Sequence, residues 1–250
     1  MVFESQKLEM SCAIKINSKE VVKMNGYESL MEYYKECFEL VDCFHFNSEV
    51  SKVVYTTRIP DINGMVIPIT HCGIKDNRRI KTFDSEKLRM GFIGSDEPFK
   101  GLPLLIEALE EIGMEDKWEL SVWGGKVGKH PSLPIQYKGK YSAQTIENVY
   151  EAMDVLIVPS VWKETFSLVT LEALSYGVPV IVSDNVGAQD VVKGYSERCV
   201  FHGKIELVHL LESIIVDKSL LQQYNDRICN LHWSFDMITH TKEIINKLYR

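Results

Sequence analysis

Two glutamates near the middle of the chain, Glu164 and Glu172, are separated by seven residues and flank a predicted helix start. The helical pattern begins at Leu168, so Glu164 lies before the helix and Glu172 lies within it. This spacing along a helix keeps the two carboxylates from touching the same group. Ionised carboxylates accept hydrogen bonds from hydroxyl groups, so the pattern favours a ligand with two separate sets of hydroxyls.

The segment between the two glutamates is predicted to bind an anion. A continuous apolar run at residues 155–158 predicts a buried strand, and Thr165, Phe166, Ser167 and Leu168 lead from the strand region into the helix. Open α/β sheets bind their ligands at the carboxyl ends of the strands. The unpaired N–H groups of a helix N-terminus suit a diphosphate, so the sequence predicts a phosphate site here.

These residues belong to a longer run, ETFSLVTLEALSYGVPVI at residues 164–181. The run resembles the E-x7-E region of retaining GT-B glycosyltransferases of family 4 (group 1). By that resemblance Glu164 holds the donor sugar and Glu172 holds the ribose of the nucleotide. The resemblance also implies that the backbone amides of Phe166, Ser167 and Leu168 contact sugar and phosphate.

A second run, GFIGSDEPFKGL at residues 91–102, is similar to the first strand and loop of the donor domain in the same family. The resemblance places Gly94 and Ser95 beside the nucleotide. It gives Lys100 the role of neutralising charge that builds on the leaving diphosphate. Ser95 stands where the family usually has an arginine, which shifts diphosphate binding toward Lys100 and the helix N-terminus.

Gly124 and Gly125 end another predicted strand, and a glycine pair lets a ligand approach the backbone closely. A tight structural turn explains the two glycines equally well. In the family this turn lies near the nucleotide, and the segment around Lys138 frames the base.

Histidine and cysteine give no independent site. We interpret His45, in a predicted apolar strand, and His71, in a predicted linker, as structural. The six cysteines contain no CxxC pair, and no pair of histidines completes a zinc site. Free thiols in a reducing cytosol are expected, with no metal site.

From about residue 89 onward, short β-type runs alternate with helical patterns. This alternation predicts an α/β fold, a Rossmann-like parallel sheet with helices on both faces. Strands are predicted at residues 89–93, 119–123, 135–138, 155–158, 179–183 and 199–201. Helices are predicted at 102–112, 143–153 and 168–176. Two or three more are predicted in the C-terminal segment, the last of them at 237–249.

The first seventy residues predict a partial second α/β domain. A helical pattern at 27–40 is followed by an apolar stretch at 41–46. Asn47 and Ser48 would then cap a short helix that ends at about residue 55, and a strand is predicted at 65–69. Two α/β units are too few to close a Rossmann-type sheet. We therefore interpret residues 1–75 as a remnant of an acceptor-side domain with its linker (about 71–84) and residues 76–235 as the nucleotide-sugar donor domain. Residues 236–250 would form a helix that packs back toward the N-terminal part.

Composition narrows the classes of partner. A net charge of -7 argues against nucleic-acid binding, which needs clustered lysine and arginine. The longest apolar run falls short of the roughly 18 residues of a membrane helix. The first residues lack the pattern of a secretion signal, so the cytoplasm, including its membrane surface, is the expected location.

The resemblance implies a retaining hexosyltransferase. A nucleotide-diphosphate sugar would be the donor substrate, a glycan or a lipid-linked molecule the acceptor, and no further cofactor is expected. Two alternatives stay open: a non-catalytic subunit that binds nucleotide sugar and needs a partner chain, and a GT-B nucleotide-sugar epimerase. Self-association, or a partner chain that supplies the acceptor domain, would complete the cleft.

Overall fold

A computed structural model of the protein describes the backbone of residues 11–16 and 20–249, with side chains described from residue 29. Residues 1–10, 17–19 and 250 of the predicted terminal segments lie outside the described part. The N-terminal elements are β1 (Ser11–Ile16), β2 (Glu20–Asn25), α1 (Gly26–Glu39), β3 (Phe44–Phe46), α2 (Glu49–Thr56) and β4 (Gly64–Val66). Strands β1 and β2 form an antiparallel pair that was not predicted, and β3 and β4 pair in parallel.

The rest of the chain contains the main sheet. Its strands are β5 (Leu88–Ile93), β6 (Trp118–Trp123), β7 (Val127–Lys129), β8 (Ile135–Gly139), β9 (Val155–Val158), β10 (Val180–Ser183) and β11 (Val200–Phe201). Its helices are α3 (Leu102–Ile112), α4 (Ile146–Glu151), α5 (Leu168–Ser175), α6 (Gln189–Lys193), α7 (Gly203–Val216), α8 (Ser219–Asn230) and α9 (Met237–Leu248). A short 3-10 turn, Pro98–Lys100, precedes α3.

The predicted parallel sheet is confirmed, with strand order β11-β10-β9-β5-β6-β8-β7. All neighbouring pairs are parallel except β7 with β8, an antiparallel edge that the sequence reading missed. The chain runs outward from β5 to β6 and β8, then returns to β9 on the other side of β5. The strand order reverses at β5, which creates a switch point between β5 and β9, and crossovers of the usual right hand in opposite directions would place helices on both faces of the sheet.

The core follows from the apolar strands that the sequence predicts. Every residue of β9 and β10 is buried, as expected for strands covered on both faces. Helix α3 packs against α7, with Leu105 and Leu109 fully buried.

An ion pair between a buried aspartate and a partly exposed arginine holds the two strands of the switch point together. Asp154, immediately before β9, has no exposed surface, and its Oδ1 accepts from Arg89 Nε of β5 at 3.0 Å. The Asp154 amide also donates to the Arg89 carbonyl at 2.7 Å. The hydrogen bond to Asp154 raises the pKa of Arg89. Because the aspartate is fully paired, its burial fixes the register of β9 against β5 rather than leaving an isolated charge.

The predicted linker lies along the main sheet domain without helix or strand between β4 and β5. Ile74 is buried in the same core as the strands. Arg78 Nη1 donates to the carbonyls of Ile228 at 2.6 Å and Leu231 at 2.8 Å, at the end of α8. These bonds satisfy carbonyls that the helix terminus leaves unpaired.

The last helix, α9, is capped by Asp236, whose side chain accepts from the amides of Ile238 and Thr239. Just before it, the Phe235 carbonyl accepts from Thr70 Oγ1 at 2.5 Å. The rings of His45 and His240 lie 6.2 Å apart. The end of the chain thus contacts residues near β3 and β4, while the predicted domain boundaries stay predictions. In the described part, no helix is long and apolar enough to cross a membrane.

Gly101, in the loop after β5, packs against the backbone of Pro159, just after β9. Its φ is +83°, and a Cβ placed there would lie 1.8 Å from the Pro159 carbonyl oxygen. Gly113, at the other end of α3, also has a positive φ, +65°, but a Cβ there would meet nothing within 4 Å. The two positions therefore separate backbone strain from steric overlap.

We predict that Gly101→Ala lowers the free energy of unfolding more than Gly113→Ala does. Both variants place a Cβ at a positive φ, Gly101 in the left-handed helical region and Gly113 at ψ -132° outside it, and Gly101→Ala adds overpacking of about 1–3 kcal/mol against the Pro159 backbone. Urea unfolding of the two variants beside the parent chain measures the difference. Equal losses would show that the loop does not contact Pro159 closely.

Candidate functional site

A cavity of about 470 Å³ opens at the carboxyl ends of β5, β6 and β9, where the strand order reverses. Its walls come from the ends of these strands, the loop before α3, the start of α5 and two residues from other segments. The lining residues are Ile69, Phe92, Ile93, Gly94, Lys100, Gly124, Tyr141, Val158, Ser160, Glu164, Thr165, Phe166, Ser167, Leu168 and Val169. The cavity thus lies where open α/β sheets bind ligands.

Lys100 and Glu164 form an ion pair at one wall of this cavity. Lys100 Nζ lies 2.7 Å from Glu164 Oε1, and the Glu164 side chain is 13% exposed. Ser160 Oγ also donates to Oε1 of Glu164. No hydrogen bond to the other carboxylate oxygen, Oε2, is found in the described part of the chain, so that oxygen can accept from a ligand hydroxyl.

Three successive backbone carbonyls of the loop before α5 are hydrogen-bonded to other segments. The Glu164 carbonyl accepts from the Gly187 amide at 3.1 Å, and the Phe166 carbonyl accepts from the Ala188 amide at 2.7 Å. Between them, the Thr165 carbonyl accepts from Ser48 Oγ at 2.7 Å.

These bonds determine where the amides of the loop point. The described chain has no cis peptide bond, and in a planar trans peptide the N–H points opposite to the C=O. The N–H groups of Thr165, Phe166 and Ser167 therefore point away from the groups that hold the carbonyls. No partner for these three amides is found among the described residues. An anion in the cavity lined by the same residues would meet three donors, next to the positive end of α5.

Ser167 has an unusual conformation at the start of α5, with φ +101° and ψ 89°. A non-glycine residue there stores strain, which is typical of ligand sites. Its Oγ accepts from Thr170 Oγ1 at 3.0 Å.

Glu172 occupies a separate polar cluster beside the cavity. Its Oε1 lies 3.1 Å from His71 Nε2, and its Oε2 accepts from the Tyr150 hydroxyl at 2.9 Å. Burial raises the pKa of Tyr150 well above its ordinary value, and the charge of Glu172 adds to this. Tyr150 therefore keeps its proton at neutral pH and holds the carboxylate in place. Glu164 and Glu172 share no partner, as their spacing implies.

Tyr141 connects this cluster to the cavity, which it lines. Burial is the main cause that raises the pKa of Tyr141 to about 12, followed by the charge of Glu172. Sequence reasoning missed Tyr141 and Tyr150, and it interpreted His71 as structural without linking it to Glu172. None of these three residues belongs to a motif, so only the folded chain brings them to the glutamate.

The remaining predicted site residues divide into two groups. Gly94 and Gly124 line the cavity, and a Cβ on Gly124 would lie 2.4 Å from the Gly94 carbonyl oxygen. Ser95, Gly125 and Lys138 are not among the lining residues. The Gly125 backbone lies against the Asp96 carboxylate, and Lys138 Nζ donates to Gln136 Oε1 at 2.6 Å on the exposed face of β8. Their predicted contacts with a nucleotide stay predictions.

Within the residues that the structure describes, no three or more His, Cys, Asp or Glu side chains lie close enough together to hold a metal ion.

Comparison with known proteins gives a family match over most of this region. The family described as glycosyl transferases group 1 matches residues 73–228, more than half of the chain. An uncharacterized glycosyltransferase of Methanocaldococcus jannaschii is 31% identical over 130 residues, which are 48% of this chain and 33% of that protein. The D-inositol 3-phosphate glycosyltransferase of Corynebacterium diphtheriae is 26% identical over 191 residues, 67% of this chain and 44% of that protein. The chain thus spans less than half the length of these two relatives.

Solved structures with the same fold include two that cover most of this chain. Sucrose-phosphate synthase from Thermosynechococcus elongatus matches with a TM-score of 0.66 at 20% identity, over 90% of this chain and 62% of that one. Anabaena HepE, crystallised in complex with UDP and glucose, matches with a TM-score of 0.70 at 16% identity, over 89% and 67%.

Because of the strain at Ser167, we predict that glycine at this position stabilises the protein more than alanine does, the reverse of the usual order. Both Ser167→Ala and Ser167→Gly remove the hydroxyl, but only glycine relieves the positive φ, so the glycine variant should be more stable by about 1–3 kcal/mol. Thermal or urea unfolding of the pair measures the difference.

Ser213, exposed within α7, is the matched control. There alanine should be more stable than glycine by about 1 kcal/mol, the ordinary preference of a helix interior. The same order at both positions would contradict the strained conformation of Ser167.

Proposed function

Since this chain belongs to the glycosyl transferases group 1 family, we propose that its cavity binds a nucleotide-diphosphate sugar for transfer of the sugar to an acceptor. One observation carries the proposal: three amides without a partner among the described residues belong to residues that line the cavity, together with the Lys100–Glu164 pair, at the switch point of the sheet. This arrangement offers donors for an anion beside an acceptor for hydroxyls, which is the chemistry of a sugar diphosphate.

The diphosphate would lie against the amides of residues 165–167, with Lys100 beside it. Lys100 has three N–H donors and uses one on Glu164, so others are free to reach a phosphate oxygen. As the sugar leaves, negative charge grows on the diphosphate, and fixed donors stabilise that charge more than they stabilise the ground state. These protein groups would supply the neutralisation, so the proposed reaction requires no metal or further cofactor.

The two glutamates would hold the two ends of the donor. Glu164 lies in the cavity wall, and its Oε2 would accept from a sugar hydroxyl. Glu172 lies beside the cavity at 15% exposure, with Oε1 facing the half-exposed His71. A ribose hydroxyl would replace His71 at Oε1, while Tyr150 keeps Oε2 fixed.

UDP is the first nucleotide to test, because the structural neighbour from Anabaena was crystallised with UDP and glucose. We propose a hexose as the transferred group, with retained configuration, and a glycan or lipid-linked acceptor. The lipopolysaccharide core biosynthesis mannosyltransferase of Rhizobium meliloti, 26% identical over 129 residues, is a relative named for the transfer of a hexose. A partner chain, or a second copy, would supply the acceptor wall if the purified chain binds donor without transferring sugar.

A nucleotide screen by thermal shift and calorimetry tests the proposal. UDP, ADP and GDP are compared with their nucleosides, because ligands that bind the native state raise its apparent stability. At least one nucleoside diphosphate should bind, and should bind more tightly than its nucleoside. Failure of all three to bind would overturn the proposed function.

We predict that Glu172→Gln weakens binding of the preferred nucleotide about tenfold, because the ribose loses a charged acceptor. Glu110→Gln, on the exposed face of α3, makes the same change of charge away from the cavity and should leave affinity unchanged. Calorimetric titration gives both values. Unchanged affinity in Glu172→Gln would remove Glu172 from the site.

Lys100→Ala should weaken binding of the nucleoside diphosphate about tenfold or more and leave binding of the nucleoside nearly unchanged. The reason is that Lys100 would donate its charged hydrogen bond to a phosphate, which the nucleoside lacks. Lys129→Ala, on the exposed edge strand β7, controls for the loss of one positive charge. Equal losses for nucleoside and diphosphate would mean that Lys100 acts only on the structure of the loop.

A further inference from the structure

Helix α2 begins directly against the loop whose amides at residues 165–167 have no partner in the described part of the chain. Ser48, the N-cap of α2, is 2% exposed. Its Oγ accepts from the Ser51 amide at 3.1 Å and donates to the Thr165 carbonyl at 2.7 Å. A hydroxyl has one proton and two lone pairs, so Ser48 can cap its own helix and bind the loop at the same time.

The packing around this bond leaves little freedom. A Cβ on Gly187 would lie 2.4 Å from Ser48 Oγ and 2.4 Å from the Thr165 carbonyl oxygen. The glycine therefore permits the close approach of three segments: the N-terminus of α2, the loop before α5 and the turn after β10. Ser48 is buried while Thr165 is exposed, so the bond is partly buried, and loss of the hydroxyl would leave the Thr165 carbonyl without its partner in the protein.

The other two carbonyls of the loop are held by backbone amides of Gly187 and Ala188, which no side-chain substitution removes. The Thr165 carbonyl is the one that depends on a side chain. Its peptide carries the Phe166 N–H, the middle donor of the three. Rotation of this peptide would turn that N–H away and bring the carbonyl oxygen toward the cavity, where it would repel an anion.

We propose that Ser48 is a positioning residue for the diphosphate site: through the Thr165 carbonyl it fixes the peptide that presents the Phe166 amide. The inference rests on the proposed function for the identity of the ligand. It also couples two parts of the chain that are more than one hundred residues apart. Docking of α2 and binding of a diphosphate should support each other, because coupling between sites is reciprocal.

Ser48→Ala and Ser51→Ala form a matched pair that separates loop positioning from helix capping. Ser51 Oγ donates to the Ser48 carbonyl at 2.8 Å, accepts from the Ser48 amide at 3.2 Å and lies 3.4 Å from Ser48 Oγ, so its loss breaks the capping box and leaves the shorter bond from Ser48 to the Thr165 carbonyl in place. Ser48→Thr keeps the hydroxyl and serves as the rescue variant. Ser48→Cys, close in size with a weaker donor, replaces Ser48→Ala if the alanine chain does not fold.

The first measurement is amide hydrogen exchange of the full chain without ligand. Peptides that contain the amides of Glu164, Gly187 and Ala188, which are hydrogen-bonded between the loop and the turn after β10, should exchange faster in Ser48→Ala than in Ser51→Ala, while the peptides of α2 lose protection in both. Equal exchange of these three amides in the two variants would overturn the positioning role. This readout does not depend on which nucleotide binds.

The second measurement is affinity for UDP, ADP and GDP and for their nucleosides. Ser48→Ala should weaken the preferred diphosphate about tenfold without changing the nucleoside, and Ser48→Thr should restore most of it. Equal affinity in Ser48→Ala and the parent chain would overturn the proposal. If the parent binds none of the three, the proposed function fails, and the exchange comparison still decides whether Ser48 holds the loop.

Discussion

The site depends on the direction of three consecutive peptide planes, those after Glu164, Thr165 and Phe166. Each carbonyl is bound by a group outside the loop, so each following N–H faces away from that group, and the same residues line the cavity. A helix N-terminus alone would offer donors only at its own first turn. The bound carbonyls extend the row of donors backward to Thr165, beside Lys100 and Glu164, and so join the anion site to the hydroxyl-binding site.

Several local features of the chain follow from this loop. Ser167 adopts a positive φ because the chain must turn from the bound peptides into α5 within one residue. Gly187 lacks a side chain because Ser48 and the Thr165 carbonyl occupy the space that a Cβ would need. Strain and close packing here are tolerated since β9 and β10, on which the loop is anchored, are buried over their whole length.

The sequence predicted the elements whose signals are local. Apolar runs located the parallel strands to within a few residues, and the spacing of Glu164 and Glu172 indicated two separate groups. The antiparallel strand β7 was missed because its three residues are exposed and carry no apolar pattern. The contacts of His71, Tyr150 and Ser48 were also missed. Each of these side chains meets its partner only across the fold, between 22 and 117 residues away, and nothing in a single sequence records such a pairing.

The ion pair between Lys100 and Glu164 explains how the site can be stable before a ligand arrives. An unpaired lysine beside three unbonded amides would gather positive potential in a partly buried cavity, and an unpaired glutamate at the same depth would be poorly solvated. Paired, the two side chains neutralise each other and fix each other's rotamers. A sugar diphosphate can add to this pair without breaking it, since Lys100 has further N–H donors and Glu164 has a second oxygen. The charges that hold the empty cavity together are then already placed for phosphate and hydroxyl, which reduces the reorganisation that binding requires.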